Sequence, residues 1–307
     1  MEEIIVTENL KKHFGDVKAV DGIDLCIKKG EIYGFLGLNG AGKTTTIRML
    51  LGMIRPTSGK ACLKGEKVTA GNSELWNKVG YLVEIPYSYP DLTVRENLEI
   101  VRRLRFIEDP HAISSVMEIL KLAPYSSRIA KNLSLGNAQR LGLAKAIIHK
   151  PEILILDEPA NGLDPAGIVE IRELLLELAS ESGVTIFVSS HILGEISRFA
   201  SRFGIIHDGK LIQESDIVQM ERSRHRILQI DTMDKHGTVV LLSEKGIPAT
   251  IAPGGYIEVS DSDAIENPEN IATILVQEGF PPTLLKVEVE DLESYFLRII
   301  SNKGGVQ

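Results

Sequence analysis

Gly37-Leu38-Asn39-Gly40-Ala41-Gly42-Lys43-Thr44-Thr45 has the glycine, lysine and hydroxyl spacing of the phosphate-loop pattern GxxxxGK[ST]. The glycines permit a tight concave turn with inward-pointing amides. Lys43 reaches the outer phosphates of a bound nucleotide, and the Thr44 hydroxyl is placed to ligate Mg²⁺. The flanking residues agree. Ile32 to Leu36 reads as a short apolar strand, and Ile47, Leu50, Leu51 and Ile54 recur at helical spacing directly afterwards. The helix therefore opens at the loop, with the positive end of its dipole facing the phosphates.

Upstream, residues 4 to 28 read as two or three strands ending at the turn Lys28-Lys29-Gly30, an antiparallel lead-in to the loop. Phe14 precedes the Gly15-Asp16 turn, where it either offers an aromatic face to a base or packs as a core residue. Downstream, Gly59 to Lys64 and Val79 to Val83 read as strands, the second ending at Glu84, and Ile85 to Leu92 as a loop with two prolines and two tyrosines. From Thr93 the pattern turns helical, with Thr93 and Glu96 spaced as a capping box, and a second helix is expected from about Pro110 to Leu122. This helical block, centred on residues 93–130 and bounded at about 85–150, interrupts an otherwise alternating β and α chain. Ser134 and Gly136 then stand just before another helix, where they either cap it or receive an anion.

Ile153-Leu154-Ile155-Leu156 is a continuous apolar run ending in Asp157-Glu158-Pro159, as expected of a central parallel strand with acids at its carboxyl end. Asp157 there suits Mg²⁺, and Glu158 suits the orientation or deprotonation of an attacking water. Gly162-Leu163-Asp164-Pro165 opens a long amphipathic helix to about Ser182. Val184 to Val188 is a further buried strand that delivers Ser189-Ser190-His191 to the same edge, with His191 as a hydrogen-bonding sensor of the γ-phosphate.

The phosphate loop, Leu133-Ser134-Leu135-Gly136-Asn137-Ala138-Gln139-Arg140, Asp157-Glu158-Pro159, Gly162-Leu163-Asp164 and His191 together resemble the ATP-binding subunit of an ABC transporter, over about residues 1–220. The resemblance implies that Phe14 stacks on adenine, that Ser134 and Gly136 belong to the signature loop, and that Asp164 joins the ATP site. It further implies that two such subunits sandwich two ATP molecules head to tail. A phosphate loop covers one side of the triphosphate, and a helix N-terminus supplied in trans closes the other. Two positions depart from the family pattern. Leu135 stands where a second glycine is common, and Glu84 where a glutamine usually touches Mg²⁺ and the attacking water. A carboxylate at position 84 binds a metal more strongly and adds negative charge near the γ-phosphate. The acidic variant resembles the branch of bacitracin-type and lantibiotic-immunity exporters, and it is equally readable as a tolerated exchange with no bearing on substrate.

Composition sets the remaining bounds. With 43% apolar and 25% charged residues the chain is of ordinary soluble type, and a net charge of -8 argues against a generic nucleic-acid binder. No apolar run approaches the ~20 residues that cross a bilayer, and Met1-Glu2-Glu3 is acidic where a signal peptide is basic. The chain is therefore not expected to cross a membrane itself, and the resemblance implies a peripheral location on the cytoplasmic face of a membrane, beside a separate membrane-spanning permease. The alternative, a soluble ABC-type ATPase acting on ribosomes or chromosomes, usually has two ATPase halves or a long coiled-coil insertion. Cys26 and Cys62 look like small buried hydrophobes. The chain is expected to divide into an α/β phosphate-loop NTPase domain of ABC type, residues 1–222, and an accessory α+β domain, residues 223–307. In the second part the segments Arg226 to Asp231, Lys235 to Lys245, Ala249 to Ile251, Tyr256 to Val259, Pro268 to Glu278 and Leu284 to Val289 suggest a βαββαβ, ferredoxin-like order, closed by a helix from Leu292 to Ile300. No catalytic constellation is found there, and a dimer-supporting or regulatory role is expected.

Overall fold

The computed structural model of the protein describes residues 2–84 and 87–304. Two compact units emerge, one formed by Met1–Ile217 with the chain from Ile299 onward, the other by Val218–Arg298.

In the first unit the order is β1 (Glu3–Phe14), β2 (Val17–Lys28), β3 (Ile32–Leu36), α1 (Lys43–Leu50), β4 (Ser58–Leu63), β5 (Glu66–Lys67), α2 (Ser73–Trp76) and β6 (Val79–Leu82). There follow α3 (Val94–Leu104), α4 (Ala112–Ile119), α5 (Leu135–Ile147), β7 (Ile153–Asp157), α6 (Pro165–Ser180), β8 (Thr185–Ser190), α7 (Leu193–Ile196), β9 (Arg202–His207) and β10 (Lys210–Asp216). Among the described residues these strands make two sheets, an antiparallel one ordered β2-β1-β4-β5 and a central one ordered β10-β9-β3-β8-β7-β6. Neighbours from β9 to β6 run parallel, and only β10 is antiparallel. Every residue of β3, β7 and β8 is buried, because a parallel sheet is covered on both faces, and the unbroken apolar runs reflect that. Their carboxyl ends carry the phosphate loop, Asp157 and Ser190 to one edge of the sheet.

The lead-in hairpin, the strand at residue 79 and the helical block between β6 and β7 fall where the sequence predicts them. The Thr93–Glu96 capping box closes reciprocally: the Glu96 carboxylate accepts from the Thr93 amide at 2.7 Å, and Thr93 Oγ1 accepts from the Glu96 amide at 3.2 Å. Of the loop expected over residues 85–92, Ile85 and Pro86 lie outside the described residues, and Tyr87 to Leu92 forms neither helix nor strand. Two expectations need correction, and one hairpin falls outside them. Helix α1 stops at Leu50, short of Ile54, because Gly52 takes a left-handed φ of 65° and terminates it in the manner of a C′ glycine. Both cysteines are only partly buried. The hairpin β9–β10 was not anticipated, and its first strand lies beside β3 in the central sheet.

Helix α8 (Ile217–Ser223) leads into the second unit, which contains β11 (Arg226–Asp231), α9 (Lys235–Glu244), β12 (Ala249–Ile251), β13 (Ile257–Val259), α10 (Ser262–Glu266), α11 (Pro268–Gln277) and β14 (Leu284–Val289). Helix α12 (Leu292–Gly304) follows. The four strands pair antiparallel in the order β12-β13-β11-β14. Leu228, Ile230, Leu242, Ile257, Ile271 and Leu275 form a core between sheet and helices.

Two measurements test this packing. A Cβ on Gly80 of β6 would lie 2.1 Å from the Ala146 carbonyl of α5, a backbone group that cannot move aside. Gly80→Ala should lower stability in urea unfolding by at least ~1–3 kcal/mol. His149 lies with Nε2 3.1 Å from the Val79 carbonyl, and burial, reinforced by the Arg105 charge, pushes its pKa down to about 4. The unfolded chain therefore takes up this proton first, and stability contributed by the neutral ring is lost as pH falls from about 6.5 to about 4. With solvent screening of a partly exposed ring the loss should be about 1–2 kcal/mol, and His149→Gln should remove it from the pH dependence of urea unfolding.

Candidate active site

Helix α1 begins at Lys43, and its N-cap, Gly42, adopts φ 111°, where a Cβ would stand 2.5 Å from the Ala19 carbonyl. Only glycine meets both conditions. The amides of Asn39, Gly40, Gly42, Lys43, Thr44 and Thr45 donate to no acceptor among the described residues. Successive unpaired amides at a helix start form a concave anion receptor, and Leu38, Asn39 and Gly40 are exposed at its mouth. Lys43 is buried, and its Nζ donates to the carbonyls of Gly37 at 2.7 Å and Leu38 at 3.3 Å. The same ammonium lies 3.2 Å from Glu158 Oε1.

At the end of β7, buried Asp157 accepts the Thr44 hydroxyl at 2.7 Å on Oδ2 and the Ser189 hydroxyl at 2.6 Å on Oδ1. Ser189 Oγ in turn accepts the Glu158 amide at 3.0 Å. Glu158 holds a left-handed φ of 49°, a strained state for a residue with a side chain. Its Oε2 receives His191 Nδ1 at 2.6 Å and Asn161 Nδ2 at 2.9 Å. Burial pushes the Glu158 carboxyl up, but the Lys43 charge and the His191 hydrogen bond outweigh it and hold the pKa below the usual value. The group is thus an anion at neutral pH, fixed by three donors and able to accept a proton. Thr44 Oγ1 and Asp157 Oδ2 lie 2.7 Å apart, two hard oxygens side by side. That donor set fits Mg²⁺, which takes one or two protein oxygens and completes its shell with water and phosphate.

Lys43, Thr44, Asp157, Glu158 and His191 therefore meet at one edge. Phe14 is 52% exposed with Lys12 Nζ 4.8 Å above its ring, so the core alternative falls away and the ring is half open to solvent. Ser134 caps α5 by accepting the Asn137 amide at 3.3 Å, and Asp164 caps α6 through the Gly167 amide at 2.9 Å. These two turns pack on each other. A Cβ on Gly136 would be 3.4 Å from the Leu163 side chain, and Leu135 lies directly over Gly162. No hydrogen bond or ion pair among the described residues joins Ser134, Gly136 or Asp164 to the phosphate loop. Glu84, at φ 56°, is paired with Arg48 at 2.5 Å, and no such bond joins it to Thr44 or Asp157. Three contributors had no role assigned from sequence: Ser189, Asn161 and Gln139, whose Nε2 donates to the Pro159 carbonyl at 3.1 Å. Of these, Ser189 had a readable signal, a hydroxyl at the carboxyl end of a buried strand.

Residues 20–161 match the family model described as ABC transporter. The chain is 41% identical over 302 residues to the bacitracin transport ATP-binding protein BcrA of Bacillus licheniformis, covering 98% of each chain. It is 37% identical over 209 residues to the lantibiotic transport ATP-binding protein SrtF of Streptococcus pyogenes, covering 68% of this chain and 89% of that one. Among solved structures, the dimeric structure of MJ0796, a bacterial ABC transporter cassette, superposes with a TM-score of 0.65 at 26% identity, covering 70% of this chain and 99% of that one. The chain belongs to the ABC transporter ATP-binding proteins and is an ATPase of that family.

Because Ser189 braces both acids without touching the loop amides, Ser189→Ala should lower hydrolysis ~10- to 100-fold, measured as phosphate release, with nucleotide affinity little changed. Lys43→Ala should instead weaken ATP binding itself in equilibrium titration. Unchanged affinity would remove Lys43 from phosphate binding.

Proposed function

We propose that the chain hydrolyses ATP to drive export of peptide antibiotics of the bacitracin or lantibiotic kind through a separate membrane-spanning subunit, and that two copies close head to tail around two ATP molecules. One observation carries the dimer reading. The amide cradle and the acids form one cluster, while the capped N-terminus of α5 at Ser134 and Gly136 stands with Gly162 and Leu163, unbonded to it. A helix end of that kind offers donors to an anion, and a second copy is a geometrically free source of them. The substrate class rests on likeness to the bacitracin transport protein, which runs the length of both units.

In this reading the free amides and Lys43 hold the triphosphate, and Phe14 stacks on the base. Glu158 takes a proton from water as the water oxygen bonds to the γ-phosphorus and the bond to the β-phosphate oxygen breaks, releasing ADP and phosphate. Thr44 and Asp157 would hold Mg²⁺, with Glu84 as a further ligand if freed from Arg48, and the ion would neutralise charge on the phosphates. When Lys43 turns to the triphosphate, Glu158 loses its strongest counter-charge while its burial remains, so nucleotide binding makes the base more basic.

The membrane partner grips the helical block and the loop after Glu84, and at Tyr87 in that loop a cavity of about 500 Å³ is lined also by Met53, Tyr81, Leu104 and Arg105. Tyr87, Leu104 and Phe106 are large apolar groups 69–88% exposed in this region. Among the described residues no helix is long and apolar enough to cross a membrane, in keeping with a peripheral subunit on the cytoplasmic face. We read residues 1–222 as the ATP-binding domain and residues 223–307 as an accessory domain that supports the dimer or regulates it, although the compact units part after Ile217 and the chain from Ile299 onward belongs to the first. The antiparallel strand order β12-β13-β11-β14 supports a ferredoxin-like reading of the latter.

Glu158→Gln should retain ATP binding and lower turnover by ~10²–10⁴, the usual contribution of a general base. The same variant with ATP and Mg²⁺ should sediment as a dimer. A monomer at every concentration tried would sink the two-copy reading.

A further inference from the structure

Helix α5 carries the signature residues on its first turn and Lys145 on its last, and at 13 residues it is about 20 Å long. Lys145 Nζ donates to the Tyr87 carbonyl at 2.9 Å, Ser88 Oγ at 2.9 Å and Asn97 Oδ1 at 3.2 Å. Asn97 is buried at the start of α3. Its Nδ2 donates to the carbonyls of Tyr89, Leu92 and Thr93, and its Oδ1 accepts the Tyr89 amide at 2.9 Å. One ammonium and one amide therefore knot three segments: the far end of α5, the loop 87–92 and the first turn of α3.

No carboxylate pairs with Lys145 among the described residues. The charged and titratable groups around the same cavity are Arg48, Glu84, Arg105, Tyr81 and Tyr87. Arg48 and Glu84 bind each other, and Arg105 donates to the carbonyls of Trp76 and Val79. Burial alone pushes the Lys145 pKa down to about 8. Folding therefore disfavours its charged form, and stability rises as pH climbs from about 8 toward the ordinary lysine value. At neutral pH the chain keeps this cation at the expense of stability. An ammonium supplies three donors for the three oxygens, whereas a neutral amine supplies two.

We propose that Lys145 is a positioning residue that makes the loop 87–92 and helix α5 move as one body, so that a partner gripping the loop displaces the helix end bearing Ser134 and Gly136. This rests on the docking surface and two-copy site proposed above. A long rigid helix clamped at one end converts a shift of the loop into a shift of its distant N-terminus.

The test uses the full-length purified chain, with hydrogen exchange and ATP hydrolysis followed from about pH 7 to about pH 9.5. Lys145→Met should speed exchange both at residues 87–97 and at residues 134–138. It should also lower kcat ~5-fold or more, with ATP affinity and KM unchanged. Lys145→Arg keeps the charge and should restore kcat, and it should lack the fall in rate expected of wild type on passing about pH 8. Faster exchange confined to residues 87–97, an unchanged kcat in Lys145→Met, or the same pH midpoint in Lys145→Arg would each overturn the proposal. Should Lys145→Met not fold, the arginine variant and the wild-type pH profile decide the matter. If Glu158→Gln stays monomeric with ATP and Mg²⁺, the two-copy reading fails, while exchange on the nucleotide-free chain still reports on Lys145.

Discussion

Asp157 is held from two sides, by a hydroxyl of the phosphate-loop helix and by a hydroxyl at the end of the neighbouring strand β8. The carboxylate is buried, and a buried acid is tolerated only when its oxygens find donors. That requirement fixes α1, β7 and β8 in mutual register at the sheet edge. Ser189 extends the constraint by accepting the Glu158 amide, so the candidate base and the candidate metal ligand are set by one serine. The strained backbone of Glu158 persists because these bonds, together with Lys43 and His191, over-determine it.

Around this edge the molecule divides the labour of handling a triphosphate. The phosphate loop offers backbone amides, which need no side-chain ordering and no change of protonation. The acids sit on strand ends, the most rigid part of the unit, where all five residues of β7 are buried. The helical block is joined to this rigid part through α5: Gln139 donates to the carbonyl of Pro159 just after the acids, and Lys145 to the loop after β6. One helix thus touches the reaction edge, carries the signature turn and ties down the exposed loop.

Much of this was legible in the chain. The phosphate loop, the apolar run before Asp157 and the Thr93–Glu96 box are local patterns whose spacing matches the geometry they impose. The β9–β10 hairpin carries an equally local signal. Asp208-Gly209 takes left-handed φ values of 46° and 74°, the two-residue turn that Asp-Gly favours between apolar runs. The extent of α1 was overread because Ile54 continues the helical period, although Gly52 supplies the stop. The second unit was read nearly strand for strand, since its turns at Pro253-Gly254-Gly255 and Gly279 mark the boundaries.

From sequence alone came the chemistry: which residues can cradle phosphate, hold a cation and accept a proton, and the order in which the chain delivers them to one edge. Those assignments depend on local spacing and side-chain type, which a linear chain carries in full. Tertiary structure decided which of those groups meet. It gave Ser189 two acids to brace, turned Glu84 toward Arg48, left Phe14 half open to solvent, and set Lys145 among neutral oxygens. Each of these depends on contacts between residues 31 to 58 positions apart, or on how far a side chain lies from solvent. Only the closed packing of sheet and helices determines such distances, and no local pattern encodes them.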